Sequence, residues 1–483
     1  MALFKNFIYN SAMTVSSYLV NFVIFTVISR TLGANNIGIV GYVDNIINYF
    51  VIFASLGINT VGIREIASAG NDREKCSKVF SKLLSLMILT VAISTIVYIV
   101  VILTIPQLSQ YRSYFLIGLG KLLLTPLMIE WLYAGKQDFK FISIRTIVIK
   151  LLYLIAVLCF VRDTDDTIIY FSLTSISVVI NFIVNIVSSK KYINYKSYSW
   201  DFRPYLKPLI KLGAFAVITS LYSTFNYVFL GSVSTALQVG FYYTAIRLYD
   251  VIMQVFRSYT SVAMPKMSEL NADSDKASFN NLIEKSYKAL FSYSIPMAVV
   301  SILLAPLFVM IIAGHGYEPS VDAMRIVMPI LIISGINQIN GMLVLMPLKK
   351  DEILLITASI AAFVGVISNI VFDKPFGANG AALTILLSEL TGCVGGVLYT
   401  MRNNLALFPY KIFVQYLLTS VPYFAIFFFV RYFFKSFYPL YIVSAALMIV
   451  YFFIQQVYIC KNEILLSILH RIMHTRQSIS DNN

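Results

Sequence analysis

Apolar residues run along nearly the whole chain in long stretches separated by short polar ones. A helix needs about twenty mostly apolar residues to cross a bilayer. At that length the pattern predicts fourteen membrane-spanning helices, at 8–29, 37–63, 83–105, 113–134, 141–161, 167–188, 209–231, 239–264, 287–313, 322–346, 353–373, 377–400, 411–434 and 437–459. A polar tail follows from Cys460. The expected class is an all-α integral membrane protein.

Fourteen spans place alternate loops on opposite sides. One set, with the N-terminus and the tail, holds 25 Lys and Arg residues and the other holds five. Basic loops stay in the cytoplasm. Both termini are therefore expected inside. The first span, Ile8 to Ser29, carries no charge and is too long for a typical cleavable signal core.

Composition agrees. The chain has 483 residues, 58% hydrophobic and 12% charged, with mean hydropathy +0.78. Ordinary soluble domains are about 25% charged. The net charge of +14 is spread over many short loops, so it reads as a topology signal and no nucleic-acid partner is expected. Cys76, Cys159, Cys393 and Cys460 lack metal or redox spacing, and the three histidines form no ligand set. No metal or cofactor is expected.

Two stretches look alike. "NIGIVGY" (Asn36–Tyr42) resembles "QVGFYYT" (Gln238–Thr244) at an offset of 202, which puts Gly38 on Gly240 and Lys5 on Lys207. This suggests a six-helix lobe over 1–200, a second over 201–400, two further helices over 401–459 and a cytoplasmic tail over 460–483. Repeats of this kind commonly line a substrate path at their interface. Gly38 and Gly240 either allow close packing or serve as turn residues.

Charges inside spans are the candidate chemistry. "GFYYTAIRLYDVIMQVFRSY" (Gly240–Tyr259) holds Arg247, Asp250 and Arg257 within one spanning helix. At 1.5 Å per residue, Arg247 and Asp250 lie about 12 and 16 Å from the outer helix edge. Both are near the midplane, where ionised groups are costly and usually functional. The three fall within an arc of about 80°. Asp44, Lys121, Lys150 and Glu389 are also deep, roughly 10–18 Å from a predicted helix entry. Arg145, Arg325 and Arg431 are near span ends, where snorkelling accounts for them. Glu130 lies about 180° around its helix from Lys121, unless Pro126 bends the helix. Pro296, Pro306, Pro329 and Pro422 are expected to shape helices.

Each deep charge has a second reading. Arg247 and Asp250, at i and i+3, can neutralise each other. Lys121 and Lys150 have no acid partner within their own helices. Asp44 is either a counterion for Arg247 or a proton or cation site. Glu389 is structural or functional. Basic residues outnumber acidic ones inside the spans. The expected site is a cationic cavity of Lys121, Lys150 and Arg247 that attracts phosphate, with Asp44, Asp250 and Glu389 as charge-pair or ion-coupling candidates.

The sequence resembles the Wzx-type lipid-linked oligosaccharide flippases, the polysaccharide exporters of the MOP superfamily. The likeness rests on "SRTLGANNIGIVGYVDNI" (Ser29–Ile46), "WLYAGKQDFKFISIRTI" (Trp131–Ile147), "VAMPKMSEL" (Val262–Leu270) and "PFGANGAALTILLSEL" (Pro375–Leu390). Gln137 stands where that family usually has an acid. The resemblance implies two six-helix lobes around a central cavity, in a bacterial cytoplasmic (inner) membrane. It implies passage of an undecaprenyl-pyrophosphate-linked oligosaccharide to the outer leaflet, with polysaccharide polymerase and chain-length machinery as partners.

Three rivals remain. A membrane enzyme of polysaccharide assembly could use "DTDD" (Asp163–Asp166), but the predicted topology puts that stretch in a tiny outer loop. No nucleophilic triad or phosphate-binding loop occurs, so an enzyme is not expected. A multidrug antiporter of the same superfamily would be expected to carry an acid on the first helix, and Ile8–Ser29 has none. A scaffold would not need Lys121 and Lys150.

Overall fold

A computed structural model describes residues 2–195, 202–272 and 275–460. The predicted tail beyond 460 lies outside them. The described residues are helical and contain no strand. In chain order the helices are α1 (Ala2–Ser55), α2 (Ile58–Ala69), α3 (Arg73–Thr104), α4 (Arg112–Leu124), α5 (Glu130–Gly135), α6 (Phe139–Phe160), α7 (Thr167–Ser189), α8 (Arg203–Ser223), α9 (Phe225–Val233) and α10 (Ala236–Ala272). They continue as α11 (Lys276–Leu303), α12 (Ala305–Ile312), α13 (Ser320–Val327), α14 (Ile330–Gln338), α15 (Asp351–Phe376), α16 (Ala378–Arg402), α17 (Tyr410–Thr419), α18 (Val421–Phe433) and α19 (Phe437–Ile454).

Among the described residues, eleven helical stretches are long and apolar enough to cross a membrane, or twelve if the bent pair α8 and α9 is one span. The protein is a multi-pass membrane protein. One stretch, Ala12–Ala69, is 58 residues long. It would extend about 87 Å if straight, against a hydrocarbon thickness of about 30 Å. It covers two of the predicted spans and breaks at Gly33, whose φ of 77° and ψ of 168° leave the helical region. Side chains such as Leu116 and Phe363 stand more than 65% exposed, as lipid-facing residues do.

Several expected loops are helix instead. The predicted loop at 64–82 is mostly α2 and α3, and that at 265–286 is mostly the ends of α10 and α11. Hydropathy marks where a helix leaves the apolar layer, and the backbone hydrogen bonding continues past that point. Asp72 caps α3 by accepting from the amides of Glu74 and Lys75 at 2.9 and 3.0 Å. Those amides, the Lys75 one foremost, hold its carboxyl below the usual range.

Pro126, Pro306, Pro329 and Pro422 sit at helix breaks, while Pro265, Pro296 and Pro375 lie inside α10, α11 and α15. The helix before Pro126 ends at Leu124, a short turn follows, and α5 restarts at Glu130 after Ile129 in a left-handed conformation (φ 49°). Pro306 opens α12, Pro329 precedes α14, and Pro422 lies in the first turn of α18. Each occupies a place where a missing amide proton costs little.

The chain forms two compact units. The first comprises residues 1–244, 312–317 and 365–384; the second comprises 245–311, 318–364 and 385–483. In the first, Trp131 and Tyr133 are packed with Ile58, Phe80, Leu83 and Leu132. In the second, Leu303 and Leu304 pack on Tyr423, Phe427 and Met448, which ties the last helices to α11. Gln456 also donates to the Ser292 carbonyl at 2.9 Å.

Gly38 and Gly240 are inside helices, so the turn reading is corrected. A Cβ on Gly38 would lie 1.7 Å from the Ala236 carbonyl oxygen, and one on Gly240 would lie 1.9 Å from that of Ala34. Only a residue without a Cβ lets the two backbones approach so closely.

Candidate functional site

The deep charges fall into separate sets. Asp44, Lys121 and Lys150 belong to the first compact unit; Arg247, Asp250 and Glu389 belong to the second.

Asp44 and Lys121 are brought together. The Lys121 ammonium on α4 lies 2.6 Å from Asp44 Oδ1 on α1. It also sits 4.5 Å from the centre of the Phe171 ring on α7. The lysine side chain is 12% exposed and the aspartate 41%. Lys121 thus has an acid partner that its own helix does not supply.

Lys150 differs. On α6, among the described residues, it reaches only the Asn21 side-chain oxygen, at 3.5 Å. Among the described residues it has no acid partner, and it is partly exposed. A deep cation held by a neutral carboxamide keeps most of its charge available to an anion.

On α10, Asp250 lies 3.5 Å from Arg257. Seven residues are nearly two turns, so both stand on one stripe of the helix. Asp250 also lies within electrostatic reach of Arg247. Arg247 is exposed, whereas Asp250 and Arg257 are partly buried. Glu389 on α16 accepts from the Asn337 side chain at 2.8 Å. Asn337 precedes a wider π-helical turn, Ile339–Leu345, of the kind frequent at functional positions.

Arg145 does not snorkel. Its side chain is 3% exposed and lies 2.5 Å from Glu130. It also donates to the Asn185 side-chain oxygen. The break at Ile129 turns Glu130 towards α6, and α6 carries Arg145. Depth alone could not show this, because the partners lie 15 and 40 residues away. Asp373 also escaped notice, since it closes the predicted span 353–373. It is fully buried, beside buried Asn369 and Thr384. The Asn369–Asp373 spacing, one helical turn, is the signal that could have found it.

A family model described as "Polysaccharide biosynthesis protein" matches residues 3–271. An Escherichia coli (strain K12) protein named "Putative O-antigen transporter" is 24% identical over 413 residues, covering 84% of this chain and 98% of that one. The fold is similar to that of the lipid II flippase MurJ in an inward closed conformation, with TM-score 0.76 and 15% identity over 93% of this chain and 98% of that one. It is also similar to an inward-facing multidrug resistance MATE transporter of the MOP superfamily, with TM-score 0.64 and 13% identity over 80% and 94%. The family model spans more than half of the sequence, and the chain belongs to the polysaccharide biosynthesis protein family.

Proposed function

We propose that the protein is a flippase that moves an undecaprenyl-pyrophosphate-linked oligosaccharide from the cytoplasmic to the outer leaflet of a bacterial inner membrane. The carrying observation is Lys150, a deep cation with a carboxamide for partner and no acid partner among the described residues. Such a group suits a pyrophosphate that hydrocarbon excludes. Relatives named as transporters and flippases support a carrier, and with the family match they set the enzyme reading aside.

In this reading Lys121, Lys150 and Arg247 attract the pyrophosphate, and Asp44, Asp250 and Glu389 set charge balance or couple an ion. Two six-helix lobes, 1–200 and 201–400, alternate in access while the lipid tail stays in the bilayer. Fourteen spans with both termini inside complete the scheme. The count follows if Ala12–Ala69 supplies two spans, α8 with α9 one, and charged α10 one. Polysaccharide polymerase and chain-length machinery receive the product.

The test is export in a strain lacking the gene. Lys150→Ala and Arg247→Ala should be expressed normally and lose export, and Arg247→Lys should keep part of it. Normal export by both alanine variants would remove the site assignment.

A further inference from the structure

Helices α6 and α7 each turn an apolar stripe outward. On α6 it is Ile144, Val148, Leu152 and Ile155, and on α7 it is Ile176, Ile180, Ile183 and Val187, all exposed. Spacings of three and four residues keep each set on one helix face. Such faces meet lipid chains. The α6 stripe ends at exposed Lys140, one turn before Ile144. From Lys140 to Ile155 the helix rises about 22 Å, more than half of a hydrocarbon thickness of about 30 Å.

Between the two helices lies a groove of about 470 Å³. Ile144, Val148 and Val184 give it apolar walls, and Asp138, Lys140, Arg145 and Lys191 give it a charged end. The acids there are already engaged. Asp138 accepts from the Tyr192 hydroxyl at 2.5 Å and lies 3.6 Å from the Lys191 ammonium. Arg145 is balanced by Glu130. Lys140 has no acid partner among the described residues. Three cations thus face two carboxylates, and one positive charge is left over. Arg145, buried in the groove wall, also keeps its Nε–H without a hydrogen-bond partner. All these residues lie in the first compact unit. The flanking loops, 135–140 and 189–208, belong to the basic set expected in the cytoplasm.

We infer that the groove between α6 and α7 holds an anionic glycerophospholipid of the inner leaflet, with its phosphate at Lys140 and Lys191 and one acyl chain along Ile144 and Val148. A phosphodiester carries one negative charge, which matches the single surplus. A zwitterionic headgroup is neutral overall and brings its own ammonium against the two lysines. A pyrophosphate carries more charge than the groove offsets, so the ligand is a lipid of the bilayer and not the carried one. The charged end followed by apolar walls repeats the order of headgroup and chains in a phospholipid. Lysine suits this place, because its stem lies along apolar surface while its ammonium reaches the phosphate. Basic pockets between spanning helices on the cytoplasmic side suit anionic headgroups. The site does not depend on which substrate is carried.

Purified full-length protein in a neutral detergent tests this, with phosphatidylglycerol as the probe and phosphatidylcholine of the same chains as the comparison. Phosphatidylglycerol should raise the Tm, and phosphatidylcholine should not. Native mass spectrometry should show one phosphatidylglycerol retained more tightly than the rest. Lys140→Ala combined with Lys191→Ala should weaken that binding at least tenfold, and Val148→Trp should weaken it by filling the apolar wall. Lys276→Ala, at an exposed lysine of the second unit, should leave it unchanged. If the double variant fails to fold, Val148→Trp and the lipid comparison decide. Equal effects of the two lipids overturn the inference, as does full binding by the double variant. An equal Tm rise with inorganic phosphate alone also overturns it, and assigns the site to a free anion. Tighter binding of undecaprenyl pyrophosphate than of phosphatidylglycerol overturns it too, and makes the groove a place for the carried lipid. Because the assay contains no oligosaccharide, failure to bind phosphatidylglycerol leaves the flippase reading untouched, and failed transport leaves this site untouched.

Discussion

Gly38 and Gly240 contact each other's helices reciprocally. Gly38 meets the Ala236 carbonyl and Gly240 meets the Ala34 carbonyl. The two partners are themselves 202 residues apart, as are the two glycines. A two-fold related pair of elements produces this exchange of contacts, and it supports the proposed repeat.

Methyl groups at this crossing should force the helices apart. Gly38→Ala and Gly240→Ala are each predicted to cost about 1–3 kcal/mol, the usual range for overpacking. Gly120→Ala is the control, since a Cβ there meets nothing within 4 Å. Thermal unfolding in detergent should show both crossing variants less stable and the control unchanged. A stable Gly38→Ala protein would place the packed crossing in doubt.

The Lys121–Asp44 pair separates stability from transport. Removing either partner strands the other charge, at a cost of about 1–3 kcal/mol given the half-open aspartate. Lys121→Ala combined with Asp44→Ala should recover much of that loss. Export should stay low in the double variant if Lys121 also attracts pyrophosphate. A double variant that exports normally would make Lys121 a purely structural partner of Asp44.

Arg145 is predicted to be structural. Arg145→Ala leaves Asn185 and Glu130 without their buried donor, and breaking such a pair typically costs about 3–5 kcal/mol. Because Glu130 is half exposed, the low end is expected. Low protein yield and a lowered Tm are the readouts. Full stability of Arg145→Ala would return this residue to the snorkelling class.

The sequence was legible where one helix at a time decides. Apolar windows mark the spans, and Pro126 marks the break before Glu130. Deep charges were visible for the same reason, since depth is counted along one helix. What stayed hidden was set by neighbouring helices. Lys121 looked unpartnered until Asp44, 77 residues away, came within 2.6 Å. Arg145 looked like an edge residue because Asn185 and Glu130 approach it through tertiary packing. Asp373 lay at a predicted boundary, and only burial reveals that no water reaches it.

Topology rests on the loop charges. Reporters fused after Arg162 and after Lys435 should report the outside, and one after Lys461 the cytoplasm. A cytoplasmic signal at Arg162 would break the fourteen-span scheme in its first half.

The flippase reading is tested most directly by head-group translocation in proteoliposomes loaded with an undecaprenyl-pyrophosphate-linked oligosaccharide. Protection of the sugar from an added glycosidase reports its leaflet. The account predicts faster exchange with wild-type protein than in empty vesicles. It also predicts at least a tenfold loss with equally reconstituted Lys150→Ala, a difference of about 1.4 kcal/mol in the barrier. Wild-type exchange no faster than in empty vesicles would contradict it.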